Sequence, residues 1–379
     1  MAIDFIQSRQ NISMIENISV PRMYEEVKSV LDPRMQEVLT SNIQFDGPYM
    51  EACQEKLKEY TGRKHAFITQ SGTSSITIML LASGITPGDK VATINYSCPA
   101  TVMPVKLLGA IPVYKDIDIH GQMDLNGVTD VKAILATGLY GDCYDHDKIK
   151  DLGIPILNDS AQSFTAKYKG IESTKLGDMS IISFSTNKNC PIFGTYGSVL
   201  TDNNNYADAV FLMRRNGYKS RDVGHGIQYI GMNAQPTEDK CAQLLTSLEK
   251  LPEWQERRQQ ISNELDSRLS KLDVCIRRSP SYSQKNYHKY CIFVKDKWEF
   301  RDKMKDLGVD CTLHYTYNFA DTEVLKGNRQ EEYPGTEFYR KHAITIPCNP
   351  WLNSAEVDHI INSIEKCYTE EDRALCRKI

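Results

Sequence analysis

From residue 65 to residue 201 the chain alternates short runs of β-branched and apolar residues with stretches long enough for helices. The runs lie at 65–69, 90–94, 111–115, 133–136, 154–158, 179–185 and 198–201. Parallel strands can be joined only by a connection that crosses the sheet face, so this alternation is the pattern of crossover units. It predicts an α/β fold with a mainly parallel seven-stranded sheet between helices. Helices are predicted at 73–83, stopped by Gly84, and at 99–108, stopped by Gly109. A glycine there can take the left-handed conformation that closes a last turn.

Beyond residue 236 the period changes. Leu244, Leu245, Leu248, Leu251, Trp254, Ile261, Leu265 and Leu269 are spaced mostly by three or four, which predicts one long helix over 236–272. That helix is read as the boundary: residues 1–248 form a large domain with an N-terminal arm, and 249–379 a smaller C-terminal α+β domain. The second domain has strands expected at 289–294 and 309–315, and helices at 298–307 and 354–365. The charged end, 369–379, reads as frayed.

Charge and cysteine usage narrow the function classes. Forty-five Lys and Arg stand against 49 Asp and Glu, a formal charge of −4, so nothing favours a nucleic acid partner. No apolar stretch approaches the roughly 20 residues of a membrane span. The opening Met1-Ala2-Ile3-Asp4-Phe5 has no basic region followed by an apolar block, so a cytoplasmic protein is expected. The 11 cysteines are scattered singly, without a CxxC pair or a histidine at zinc-finger spacing. They are expected to be reduced, buried thiols, with no metal site.

Three segments carry chemistry. Ser71-Gly72-Thr73-Ser74-Ser75 follows an apolar strand and opens a helix. It reads either as an ordinary capped helix start or as a phosphate cradle, with free N–H groups and hydroxyls facing an anion. Asp159 closes the apolar strand that leads into Ser160-Ala161-Gln162. It is placed to cap the next helix or to hold a heteroaromatic nitrogen protonated. Lys188 follows Ile182-Ser183-Phe184-Ser185-Thr186-Asn187. A lysine on such a loop is either a solvated charge or, partly desolvated, a nucleophile toward carbonyls.

In this order the three segments resemble fold type I enzymes that use pyridoxal 5′-phosphate, and more specifically the DegT/DnrJ/EryC1/StrS family of sugar aminotransferases. The resemblance also runs through Gln44-Phe45-Asp46-Gly47-Pro48, Ile85-Thr86-Pro87-Gly88-Asp89, Gly109-Ala110-Ile111-Pro112-Val113 and His314-Tyr315. It implies that Lys188 forms the imine to the cofactor and moves a proton during turnover. Asp159 would pair with the pyridine nitrogen and Gln162 would contact the ring's phenolic oxygen. Gly72, Thr73 and Ser183 would bind the phosphate. A dehydrating branch of the family carries histidine in place of this lysine, so Lys188 favours transamination.

The family also implies a homodimer with shared sites, in which Asn233 of Gly231-Met232-Asn233 reaches the partner's cofactor phosphate. Two departures stand out. Gln235 occupies a position where relatives carry arginine, and Cys98 stands where they place an aromatic residue on the ring, unless Tyr96 supplies that face. Tyr96 is otherwise a buried strand-end aromatic. His314 and Tyr315 match a segment near the sugar pocket, or form part of an ordinary strand, while Lys219, Arg221 and His225 read first as a solvated loop, on which relatives contact the nucleotide diphosphate. The function expected is amination at C4 of a UDP- or dTDP-linked 4-keto-6-deoxy hexose, of the viosamine-forming type, with L-glutamate as donor. A C3 aminotransferase, a GDP-perosamine synthase and a non-catalytic cofactor-binding regulator are the alternatives.

Overall fold

The structure, a computed structural model, describes residues 14–218, 226–327 and 332–377. All seven apolar runs enter one sheet: β1 (His65–Thr69), β2 (Lys90–Ile94), β3 (Ile111–Lys115), β4 (Ala133–Thr137), β5 (Ile156–Asp159), β6 (Met179–Ser183) and β7 (Gly197–Thr201). Their order is β1-β7-β6-β5-β4-β2-β3, and β7 alone runs against its neighbours. Both faces are covered, so consecutive residues feed opposite cores. Val91, Ala133 and Leu135 point into one apolar cluster, whereas Ala92, Ile94, Ile134 and Ala136 point into another. That is why these strands read as near-continuous apolar runs rather than as alternation.

Helices α1 (Val20–Thr40), α2 (Pro48–Thr61), α3 (Gly72–Ala82), α4 (Pro99–Leu107) and α5 (Asn204–Met213) pack around the sheet. The long periodic segment forms α6, Glu238–Leu269. Its first half, with Leu244, Leu248 and Leu251, joins the cluster under β1 and β7; its second half, with Ile261, Leu265 and Leu269, joins the cluster that the C-terminal part shares with the Ala92 and Ile134 face of the sheet. Pro252 lies inside α6 and cannot donate to the carbonyl of Leu248. The hydroxyl of Tyr60 on α2 donates to that carbonyl at 2.9 Å, so the helix passes the proline without an orphaned acceptor.

The C-terminal part pairs β8 (Tyr290–Phe293) antiparallel with β9 (Ala343–Ile346). It adds α7 (Lys297–Asp306), α8 (Pro334–His342), α9 (Ser354–Cys367) and α10 (Glu370–Cys376). Two expectations are corrected here. Segment 309–315 is not a strand: Val309 bridges Ile15 and Thr312 bridges Thr345 only as isolated pairs. The charged end is ordered through Cys376, because Thr369 and Asp372 form a capping box and Asp372 Oδ1 accepts from the Lys295 amide at 2.7 Å. All 11 cysteines are free thiols. Among the described residues no helix is long and apolar enough to cross a membrane.

Candidate active site

A cavity of about 360 Å³ opens along the edge of the sheet where β1, β2, β4, β5 and β6 end. In open α/β sheets the loops at the carboxyl ends of the strands diverge and leave such a crevice. Gly72, Thr73, Cys98, Asp159, Gln162, Ser183, Lys188, His314 and Tyr315 all line it.

The first wall begins at α3. Ser71 caps this helix: its Oγ accepts from the Ser74 amide at 3.0 Å, and Ser74 Oγ accepts in return from the Ser71 amide at 2.9 Å. With those groups satisfied, the amides of Gly72 and Thr73 remain at the positive end of the helix dipole, beside Ser183. Close approach explains two glycines. A Cβ on Gly72 would meet the Ser183 Cβ at 3.0 Å, and one on Gly197 would meet the Ser71 carbonyl at 2.6 Å.

At the end of β5, Asp159 is buried, 3 % exposed, and forms no ion pair with any described residue. Its Oδ2 accepts from Thr101 Oγ1 at 2.8 Å and its Oδ1 from the Ala161 amide at 3.0 Å. Burial pushes this carboxyl up, against those two hydrogen bonds and the attraction of Lys188. Lys188 is half-buried and, among the described residues, its amine makes no hydrogen bond; burial holds it below the usual lysine range, opposed by Cys98 and Asp159. Both groups are therefore driven toward their neutral forms, which makes the lysine a nucleophile. Asn189 fixes the loop that carries it: Nδ2 donates to the Asn286 carbonyl at 2.9 Å, and Oδ1 accepts from His288 Nδ1 at 3.0 Å.

The opposite wall has little regular structure. Gln162 Oε1 accepts from the Tyr140 amide at 3.1 Å and Nε2 donates to the Tyr315 hydroxyl at 3.0 Å. The His314 carbonyl takes the hydroxyls of Tyr96 at 2.6 Å and Tyr140 at 2.5 Å. Lys297 donates to the Tyr315 carbonyl at 2.8 Å. Thr345 Oγ1 donates its hydrogen to the Thr312 carbonyl at 3.0 Å, so its 2.9 Å contact with His314 Nδ1 requires a proton on that nitrogen. Burial first, then Lys289, Lys188 and Lys297, hold His314 well below the usual histidine range, leaving Nε2 as an acceptor.

The sequence expectations meet this geometry unevenly. Tyr96 is corrected: it is fully buried under Tyr315 and Tyr339 with edge-on ring contacts, and it does not face the cavity. Cys98 does, as the residue before α4. Asn233 is exposed and lies outside the cavity of its own chain, where it bridges Arg215. Gln235 is buried. Lys219, Arg221 and His225 lie outside the described residues. Sequence reasoning missed Thr101, Thr137, His288 and Lys289 as lining residues. Only Thr101 carried a usable signal, one helical turn after Cys98.

The arrangement suits pyridoxal phosphate: an anion cradle, a buried acid lacking a cation and an amine lacking a partner share one cavity. A family model described as the DegT/DnrJ/EryC1/StrS aminotransferase family matches residues 26–365. The chain belongs to this family. Its cofactor is pyridoxal 5′-phosphate, and the protein is an aminotransferase of the fold type I class. Among curated relatives, the UDP-2-acetamido-2-deoxy-3-oxo-D-glucuronate aminotransferase of Pseudomonas aeruginosa is 29% identical over 357 residues, covering 91% of this chain and 98% of the relative. The UDP-4-amino-4,6-dideoxy-N-acetyl-beta-L-altrosamine transaminase of Campylobacter jejuni is 25% identical, covering 90% and 95%. The crystal structure of S. venezuelae DesV in complex with a ketimine intermediate is 25% identical with a TM-score of 0.87, covering 93% of this chain and 98% of that one.

Proposed function

We propose that this family member transfers the amino group of L-glutamate to a ring ketone of a UDP- or dTDP-linked hexose. The reading rests on one observation: Lys188 and Asp159 face the same cavity, unpaired with each other, with the free amides of Gly72 and Thr73 beside them. When bound there, the cofactor supplies a carbonyl that condenses with amines and a ring that accepts an electron pair. Gly72, Thr73 and Ser183 would bind its phosphate and Asp159 would keep its ring nitrogen protonated. Lys188 Nζ would anchor it and, once free, would carry the proton from the donor's α-carbon to the cofactor's former carbonyl carbon, two bonds away. The neutral His314 offers Nε2 to a sugar hydroxyl. This intact constellation argues against a non-catalytic regulator.

For the position of the ketone we propose C3, as in the name of the P. aeruginosa relative. The C4 ketone of a 6-deoxy hexose is the second reading, favoured by the C. jejuni relative. Incubation with a panel of 3-keto and 4-keto UDP, dTDP and GDP hexoses plus glutamate, with mass and NMR analysis, decides it. Amination of none of them would end the functional reading.

The working unit we propose is a homodimer in which Asn233 completes the partner's phosphate shell. Supporting this, Ile227 is 74% and Ile230 82% exposed, close to Asn233 along the same segment. Apolar side chains left so bare are the material of a subunit interface. We place the reaction in the cytoplasm, a reducing compartment that suits 11 free thiols.

A further inference from the structure

Two cations near the cavity have no part in the chemistry above. Lys289 precedes β8 and lines the same cavity as Lys188. Among the described residues it makes no hydrogen bond and no ion pair. Beside it, a small pocket of about 10 Å³ is shared by Lys289, Arg258, Asn187 and Cys348. Arg258 is 4 % exposed; one of its amino groups donates to the Cys348 carbonyl at 2.8 Å, while its Nε has no acceptor. Asp159, already held by Thr101 and Ala161, is the one carboxylate among the described residues lining the main cavity.

Buried charge without a counter-ion is costly, and the cost falls when an anion enters. It shows in Lys289, which burial and the repulsion of Lys188 and Arg258 push down to about 7. The cofactor phosphate is served by another element, the start of α3, so it does not account for this pair. Lys289 lies near enough to Lys188 to be acidified by it, and Lys188 marks the reacting carbon. An anionic group a few bonds from that carbon is what such a position reaches.

We propose that Lys289, backed by Arg258, is a carboxylate-recognition point for a substrate of the transamination, a deepening that rests on the functional reading above. The carboxylate has two chemical sources: the α-carboxylate of the amino donor, or the C6 carboxylate of a hexuronate acceptor. Either would form a charge-assisted hydrogen bond to Lys289 Nζ.

The test compares wild-type holoenzyme with Lys289→Met and Lys289→Arg. Succinate and 2-oxoglutarate are titrated first, read through the absorbance of the bound cofactor. Each half-reaction is then run alone, one with L-glutamate and one with a keto hexuronate against its C6-neutral counterpart. Lys289→Met should weaken succinate binding about 10- to 100-fold, the range for losing a hydrogen bond to a charged group, and Lys289→Arg should restore most of it. A matching rise in the half-saturating glutamate concentration, with the limiting rate within about threefold, assigns the donor. Loss of preference for the hexuronate assigns the sugar. Shifts below about twofold in every arm overturn the proposal; should Lys289→Met fail to fold, Lys289→Gln serves in its place. A wild type that binds succinate through Lys289 but aminates no sugar would refute the functional reading and leave this one standing.

Discussion

The two walls of the cavity are built on different principles. The sheet-edge wall is mostly local: Ser71 caps the helix that begins one residue later, and Asp159 closes its strand and accepts the amide two residues on, with Thr101 of α4 as a distant partner. The C-terminal wall is assembled from a distance. The His314 carbonyl is held by hydroxyls 218 and 174 residues away in the chain. Under the proposed roles, local construction suits groups that serve one fixed cofactor, and long-range construction leaves the opposite wall free to vary with the substrate without disturbing the sheet.

This contrast predicts a graded series of effects. Lys188→Ala should abolish turnover, on the order of 10³-fold or more, while the protein stays folded. Borohydride reduction and peptide mapping should then find no cofactor fixed to the chain; fixation to another lysine would break the assignment. Asp159→Asn should lower kcat on the order of 10²-fold. Its effect on stability has the opposite sign. A carboxyl raised above its unfolded value destabilises the fold increasingly as pH climbs past the unfolded pKa. The apo variant should therefore melt no lower than wild type at pH 7; a fall of many degrees would make Asp159 a structural residue.

On the other wall, Lys297→Met releases the Tyr315 carbonyl and should raise KM for the sugar by roughly tenfold with cofactor attachment intact. A loss of cofactor instead would show that the walls are not separable. Succinate binding to apo protein should weaken as pH rises through about 7, since Lys289 binds an anion only when protonated. Calorimetry at pH 6 and 8.5 measures it, and Lys289→Met should flatten the difference. The smallest effect belongs to neither wall: Tyr60→Phe strips the partner from the Leu248 carbonyl and should cost about 1 kcal/mol of stability, read by denaturant melts, with kcat unchanged.

The same contrast explains what was legible in the sequence. Strand positions could be read because each depends on residues within a few places of itself. The cradle, acid and lysine could be read because each lies in a short motif and the three follow one another in a telling order, although Thr101, Asn286 and His288, which hold the acid and the lysine loop, lie far away in the chain. Segment 309–315 misled because Val309, Cys311, Leu313 and Tyr315 alternate like a strand, while the groups that hold its carbonyls, the side chains of Tyr96, Tyr140 and Lys297, lie outside any local window. Lys289 enters the sequence reading only as the first residue of a predicted strand; the folded arrangement shows that it lines the cavity without a hydrogen bond or ion pair to any described residue. Tyr96 sits two places past a strand end that faces the site, yet its ring turns into the core.

The 32 residues of α6 span about 48 Å at helical rise, and that one rod is common to both apolar clusters. Neither half of the protein owns its own hydrophobic lining. A gene truncated after residue 248 would strand Leu251, Trp254 and Ile261 on the missing side, and would be expected to yield inclusion bodies instead of a soluble cofactor-binding fragment. Hydrogen exchange across α6 should likewise fade as a single event, with both ends of the rod letting go together.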